Sequence, residues 1–213
     1  PAVQEEPVDP WPEDPAQEEI TEPPPPPLPP LDESDEPFKQ ELAVIAGADP
    51  LGQYLVKNQV ISRLVATIDA LDSRQVPPLV NPIKSPEGKF VVGTESDRYL
   101  VSEDNATRYD AYVELLQQMN STMLASVYKH YYPLFQQAYE ELGYPSAYFN
   151  DRLIDVIDHL LDTPDINEPV RLVRPKVLYQ FADPQLEALS AGQKILIRVG
   201  PDNASRLKAK LRD

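Results

Sequence analysis

The sequence predicts a mainly α protein: a single multi-helix globular domain with a small β-hairpin insertion, preceded by a disordered, acidic, proline-rich tail. Three observations predict it. Prolines and unneutralised acids crowd the first 36 residues. Apolar residues after about Phe38 recur at helical spacing. One short segment, Phe90 to Val101, places apolar residues on either side of a polar turn. The expected organisation is a tether over residues 1–36 and a helical domain over residues 37–213.

The tether carries 12 acids, no Lys or Arg, and 12 of the 25 prolines. Its charge is −12 out of −16 for the whole chain, so the domain is nearly balanced. Pro23 to Pro27, then Pro29 and Pro30, fix φ and remove backbone donors. Such a stretch favours polyproline II, rising about 3.1 Å per residue. Its expected role is a spacer; Pro26-Pro27-Leu28-Pro29-Pro30-Leu31 also suits an aromatic groove on another protein.

The elements follow in order. Ser34, Asp35 and Pro37 signal a first helix over 37–46, stopped by Gly47. Asp49-Pro50 opens a second helical stretch to about Leu71, with Ile61, Leu64, Val65, Ile68 and Leu71 on one face and a break near Asn58. Phe90-Val91-Val92 and Tyr99-Leu100-Val101 flank Gly93 to Asp97, a hairpin with a five-residue turn. A lone hairpin is marginal in water, so it must pack on the helices. Ser102 caps a helix to about Asn120, and Ser121 opens the next, to Leu142, stopped by Gly143. Pro133 kinks that helix or divides it. Asn150 caps a helix to about Leu161. Residues 165–182 read as irregular or partly extended. Asp183-Pro184, the Ser190/Gln193 capping-box pair and Gly200-Pro201 start three closing helices.

Several chemistries lack their residues. There is no cysteine, which excludes disulfides, thiol catalysis and cysteine-ligated metals. No Gly-x-Ser-x-Gly, Ser-x-x-Lys, phosphate loop or dinucleotide fingerprint occurs. No catalytic residue and no cofactor is therefore expected. Asp155 and His159 lie four apart on one helix, but two ligands do not make a metal site, and none is assigned. The basic segment 193–213, at +4, places cations near helix C-termini. Val199-Gly200-Pro201 resembles half of a DNA-gripping hairpin whose other glycine is replaced by Arg198, and a −16 chain is repelled by nucleic acid, so no nucleic-acid partner is expected.

The aromatic stripe Tyr128, Tyr131, Tyr132, Phe135 and Tyr139 has core spacing. Four of those five rings carry a hydroxyl that needs a partner when buried, and Tyr144, Tyr148 and Phe149 follow closely. The same residues suit a groove for a sugar, a peptide or a partner segment. The candidate binding residues are Tyr132, Tyr139, Tyr144, Tyr148, Asn150, Asp151 and Arg152.

Five blocks carry a family resemblance. They are Leu51-Gly52-Gln53-Tyr54-Leu55-Val56, the run Tyr132 to Pro145, Tyr148 to Ile154, Arg171 to Val177, and Phe181-Ala182-Asp183-Pro184 leading into Leu189 to Lys194. Together they resemble the uncharacterised bacterial domain of unknown function family 3014. The resemblance implies a single N-terminal membrane helix, outside the sequence considered, then a proline-rich stretch, then this domain. It implies the soluble part of a single-pass inner-membrane protein, with the domain in the periplasm. It supplies no catalytic residues. The leading expectation is a non-catalytic, membrane-tethered interaction domain of the cell envelope whose partner is a protein or envelope component. The alternative is an enzyme or ligand binder acting on an envelope polymer or small molecule through the Tyr/Asp-rich groove.

Overall fold

The computed structural model describes residues 27–47, 51–166 and 169–213. Among them the chain is mainly helical, with one small antiparallel sheet. Residues 1–26, on which most of the tail expectation falls, lie outside the described residues, as does the Asp49-Pro50 cap.

The packed chain begins earlier than the expected boundary at residue 37. Leu28 and Leu31 lie against the main apolar cluster, and Leu31–Glu33 form a 3-10 turn. Ser34 is fully buried and donates its hydroxyl hydrogen bond to the Leu31 carbonyl at 2.7 Å. Two leucines among the prolines give this short stretch an apolar face, which outweighs its acidity.

Helix α1, Asp35–Ala46, ends at Gly47 in the left-handed conformation (φ 73°). Helices α2, Leu51–Tyr54, and α3, Val60–Ala70, confirm the break near Asn58. The first residue of α3 is capped from a distance. Gln59 has φ 58°, and the backbone N–H groups of Gln59 and Val60 both donate to the Asp35 carboxylate at 2.7 Å. Asp35 thus supplies the anion that a helix N-terminus favours, from 24 residues away.

Strands β1, Val92–Glu95, and β2, Arg98–Val101, form the hairpin. Its turn is two residues, not five. Thr94 pairs with Tyr99 and Glu95 with Arg98, leaving Ser96 and Asp97 at φ 46° and 63°. Two positive φ angles match the twist of the strands, and Asp tolerates that region. The hairpin is half of a larger sheet, ordered β1-β2-β3-β4, with β3 at Arg171–Val173 and β4 at Gln180–Phe181. These strands resolve the stretch read as irregular or partly extended.

Helix α4, Asp104–Gln118, holds the hairpin through buried Asn105. Its side-chain amide accepts from the Val91 N–H at 2.9 Å and donates to the Val91 and Ser102 carbonyls. Helix α5, Ser121–Glu141, is capped by Asn120, which accepts from the Met123 N–H, rather than by Ser121. It runs unbroken through Pro133. Pro133 faces solvent while Tyr131, Leu134 and Phe135 anchor the turn in the core. Helix α6, Phe149–Leu161, starts after Tyr148, two residues before the expected cap. Its first N–H donates to the Gln136 side-chain oxygen of α5 at 2.9 Å.

Three short helices close the chain: α7, Pro184–Ala188, α8, Ala191–Arg198, and α9, Pro201–Arg212. Asp183 caps α7, and the Ser190/Gln193 capping box is formed. The N–H groups of Ala191 and Gly192 donate to the Ser73 and Leu71 carbonyls, joining the start of α8 to the end of α3.

Candidate functional site

The main core lies between α1, α3, α5 and the start of α6, built on Phe38, Val60, Ile61, Val65, Tyr131, Phe135 and Phe149. It does not close. A cleft of about 450 Å³ enters it, walled by Phe38 and Leu42 of α1, Leu64 and Ile68 of α3, and Phe135 of α5, with Phe149 and Leu153 of α6. Leu51 and Leu55 on one side, and Leu115, Met119 and Leu124 on the other, complete the walls. Ile83 and Leu116 at its edge are 42% and 38% exposed, and Ala125 is also exposed. Polar surface inside is almost nil. Two of the three lining tyrosines have their hydroxyls engaged: Tyr112 donates to the Lys84 carbonyl at 3.1 Å, and Tyr128 to the Asn150 side-chain oxygen at 3.3 Å. Tyr54 meets the Tyr112 ring edge-on at 4.7 Å. Burial pushes the Tyr128 hydroxyl up to about 12, so it stays protonated and neutral.

The seven residues singled out from sequence fall into separate places, none of them lining the cleft. Tyr139, Tyr144 and Arg152 are brought together by Asp69. Tyr139 is buried and stacks on Tyr144 with centroids 4.7 Å apart. The Tyr144 hydroxyl donates to Asp69 at 3.4 Å. Arg152 grips the end of α3: Nε donates to Asp69 Oδ1 at 2.8 Å, and Nη1 and Nη2 to the two Asp72 oxygens at 2.7 and 2.8 Å. Its Nη2 also donates to the Asp69 carbonyl at 2.6 Å. These hydrogen bonds hold Asp72 below the usual carboxylate range and Arg152 above the usual guanidinium range. Asn150 is engaged with Tyr128, and the Tyr132 hydroxyl with the Gln136 side chain at 3.3 Å. Tyr148, 68% exposed, and Asp151 face solvent.

Other candidate groups are similarly engaged. His159 Nε2 lies 2.9 Å from the Ser190 hydroxyl. Among the described residues no three His, Asp or Glu side chains converge as a metal site would require. Lys208, buried, donates to the Thr163 carbonyl and to Asp165 Oδ1 at 2.7 Å. Lys210 donates to the Met119 carbonyl and the Ser121 hydroxyl, and Arg206 to Gln117. The basic C-terminal segment therefore serves internal contacts.

Sequence reasoning missed the cleft. Its walls come from six helices and three connecting segments, and each wall residue by itself reads as core. No local signal separates them, because the exposure of Leu116 and Ile83 at its edge is a property of the folded chain.

The chain matches the family model described as protein of unknown function DUF3014 over residues 60–213. No curated protein and no solved structure matches it. The matched span holds α3 to α9 and the whole sheet, so this chain belongs to the DUF3014 family.

Proposed function

We propose that this is a non-catalytic, membrane-tethered binding domain of the bacterial cell envelope, and that its binding element is the apolar cleft walled by α1 to α6. One observation carries the reading: a 450 Å³ indentation reaches the main core and offers apolar wall almost throughout. Pockets of about 300–1,000 Å³ with apolar linings are the usual form of a small-ligand site. The groups that acid–base chemistry would use argue for binding over catalysis. Asp69, Asp72 and Arg152 neutralise one another, and Tyr139 is stacked and buried. Placement at the envelope rests on the family, whose members typically carry an N-terminal membrane helix and a proline-rich spacer. No helix among the described residues is long and apolar enough to cross a membrane.

The test is saturable binding of an apolar fluorophore, 1-anilinonaphthalene-8-sulfonate, to the folded chain. Ala125→Trp, at the exposed edge, places an indole across the mouth. One site is expected in the parent chain, with affinity reduced at least tenfold in the variant. A parent chain that binds no fluorophore, or a variant that binds as well as the parent while keeping its circular dichroism, would defeat the reading.

A further inference from the structure

We propose that the loop between β3 and β4 docks on an anionic lipid surface, with Val177 and Leu178 entering the acyl boundary and Arg98, Arg171, Arg174 and Lys176 meeting headgroup phosphates. This surface is separate from the cleft, and the inference does not depend on the cleft.

The topology assembles it. Each strand pair is antiparallel, so the β1–β2 turn and the loop over residues 174–179 leave the sheet at the same end. Val177 and Leu178, adjacent in that loop, are 76% and 78% exposed. The loop is held in shape by its flanks. Arg174 Nε donates to the Val177 carbonyl at 3.3 Å, and the Arg174 guanidinium lies 5.4 Å from the centre of the Tyr179 ring. Tyr179 in turn meets the Tyr99 ring edge-on at 5.4 Å. The two aliphatic side chains stand in solvent above this support. Arg98, Arg171, Arg174 and Lys176 are exposed around them. Among the described residues none of these four cations forms an ion pair. Glu95 and Asp97 are the acids on these strands and their connections, so the cations outnumber them.

Two features select a lipid surface over a protein. Neighbouring side chains that are both this exposed leave neither side of the backbone resting on the body. A fluid acyl layer surrounds such a tip, whereas a protein partner meets one face of it. A stable protein interface also takes about 800 Å² from each partner, more than one short loop supplies. Nucleic acid offers phosphates to the cations and nothing to Val177 and Leu178. Aliphatics that enter the headgroup boundary, with cations beside them that attract anionic lipid, form an interfacial anchor.

Co-sedimentation of the intact 213-residue chain with vesicles tests this. The vesicles are phosphatidylcholine alone, or phosphatidylcholine with about one-third phosphatidylglycerol. Binding is expected to the anionic vesicles only, and should weaken as salt is raised. Lys176→Gln should lower the affinity about fivefold. Val177→Ser combined with Leu178→Ser should lower it about tenfold. These positions are exposed, so circular dichroism should not change. Leu178→Trp reports insertion directly. Its emission should shift to the blue on anionic vesicles and be quenched by lipids brominated on their acyl chains. The parent chain, whose single tryptophan is Trp11, is the baseline. Absence of vesicle binding overturns the proposal, as does binding that the serine pair leaves unchanged or that is equal on neutral vesicles. The cleft reading survives each of these results, because titration with 1-anilinonaphthalene-8-sulfonate in the absence of vesicles reads the cleft separately.

Discussion

Arg152 shows how a residue that looks functional is engaged by the fold. Four of its hydrogen bonds end on Asp69 and Asp72, two residues that close α3, while Arg152 itself opens α6. Arg152→Ala would leave two neighbouring carboxylates without their counter-ion. A loss of about 2 kcal/mol is expected for removing charged hydrogen bonds at a partly exposed site, read as a lower urea midpoint. The pH dependence has a definite sign. The folded Asp72 carboxyl lies below its ordinary value of 3.8, chiefly through the Arg152 hydrogen bonds. Its contribution is therefore complete above pH 3.8 and is lost as the pH falls through the lowered value. Asp72→Asn should narrow its stability gap to the parent as the pH falls below 3.8; a constant gap down to pH 2.5 would contradict the assignment. Gly192 is a second decisive residue. A Cβ there would lie 2.6 Å from a Leu160 methyl and 2.9 Å from the Leu71 carbonyl. Gly192→Ala must push α8 from α6 and from the end of α3, and should cost about 1–3 kcal/mol. Thermal unfolding measures it.

At the scale of elements, what was legible depended on whether the signal was local. Helices α4 to α9 were legible because each carries its own start or stop: Gly143, the Ser190/Gln193 box, Gly200-Pro201. The cap of α3 was not, because Asp35 reaches it through space, 25 residues from Val60. Asp35→Ala should therefore destabilise α3 rather than α1, by about 1–2 kcal/mol, with faster amide exchange at Gln59 and Val60. Amide exchange that accelerates only within α1 would contradict that. The sheet was half legible. Its outer hairpin has alternation and a turn, whereas β3 and β4 are three and two residues long, β3 taking its register from β2 and β4 from β3. The candidate site was legible as a set of aromatics at core spacing, and Tyr131 and Phe135 follow that spacing inward. The Tyr132 hydroxyl meets Gln136 four residues on along the same helix, whereas the partners of Tyr128 and Tyr144, Asn150 and Asp69, come from other helices and no spacing rule connects them.

Across the whole molecule, the cleft and the fold are one construction. Helix α1 precedes the span matched to the family, yet Phe38 and Leu42 wall the cleft and pack in the main core. A chain cut to residues 60–213 should accordingly lose the cooperative thermal transition of the full chain, since it exposes that face of α3 and α5. The apolar cleft is the claim on which the functional account stands, and the chain's two methionines report on it. Met119 lines the cleft and is buried; Met123, one turn later, is exposed and outside the lining. Carbon-13 methyl spectra of methionine-labelled protein, titrated with 1-anilinonaphthalene-8-sulfonate, read the two separately. The account expects a saturable shift of the Met119 methyl with Met123 nearly still. A Met119 methyl that never moves, or two methyls that drift together without saturation, would contradict it.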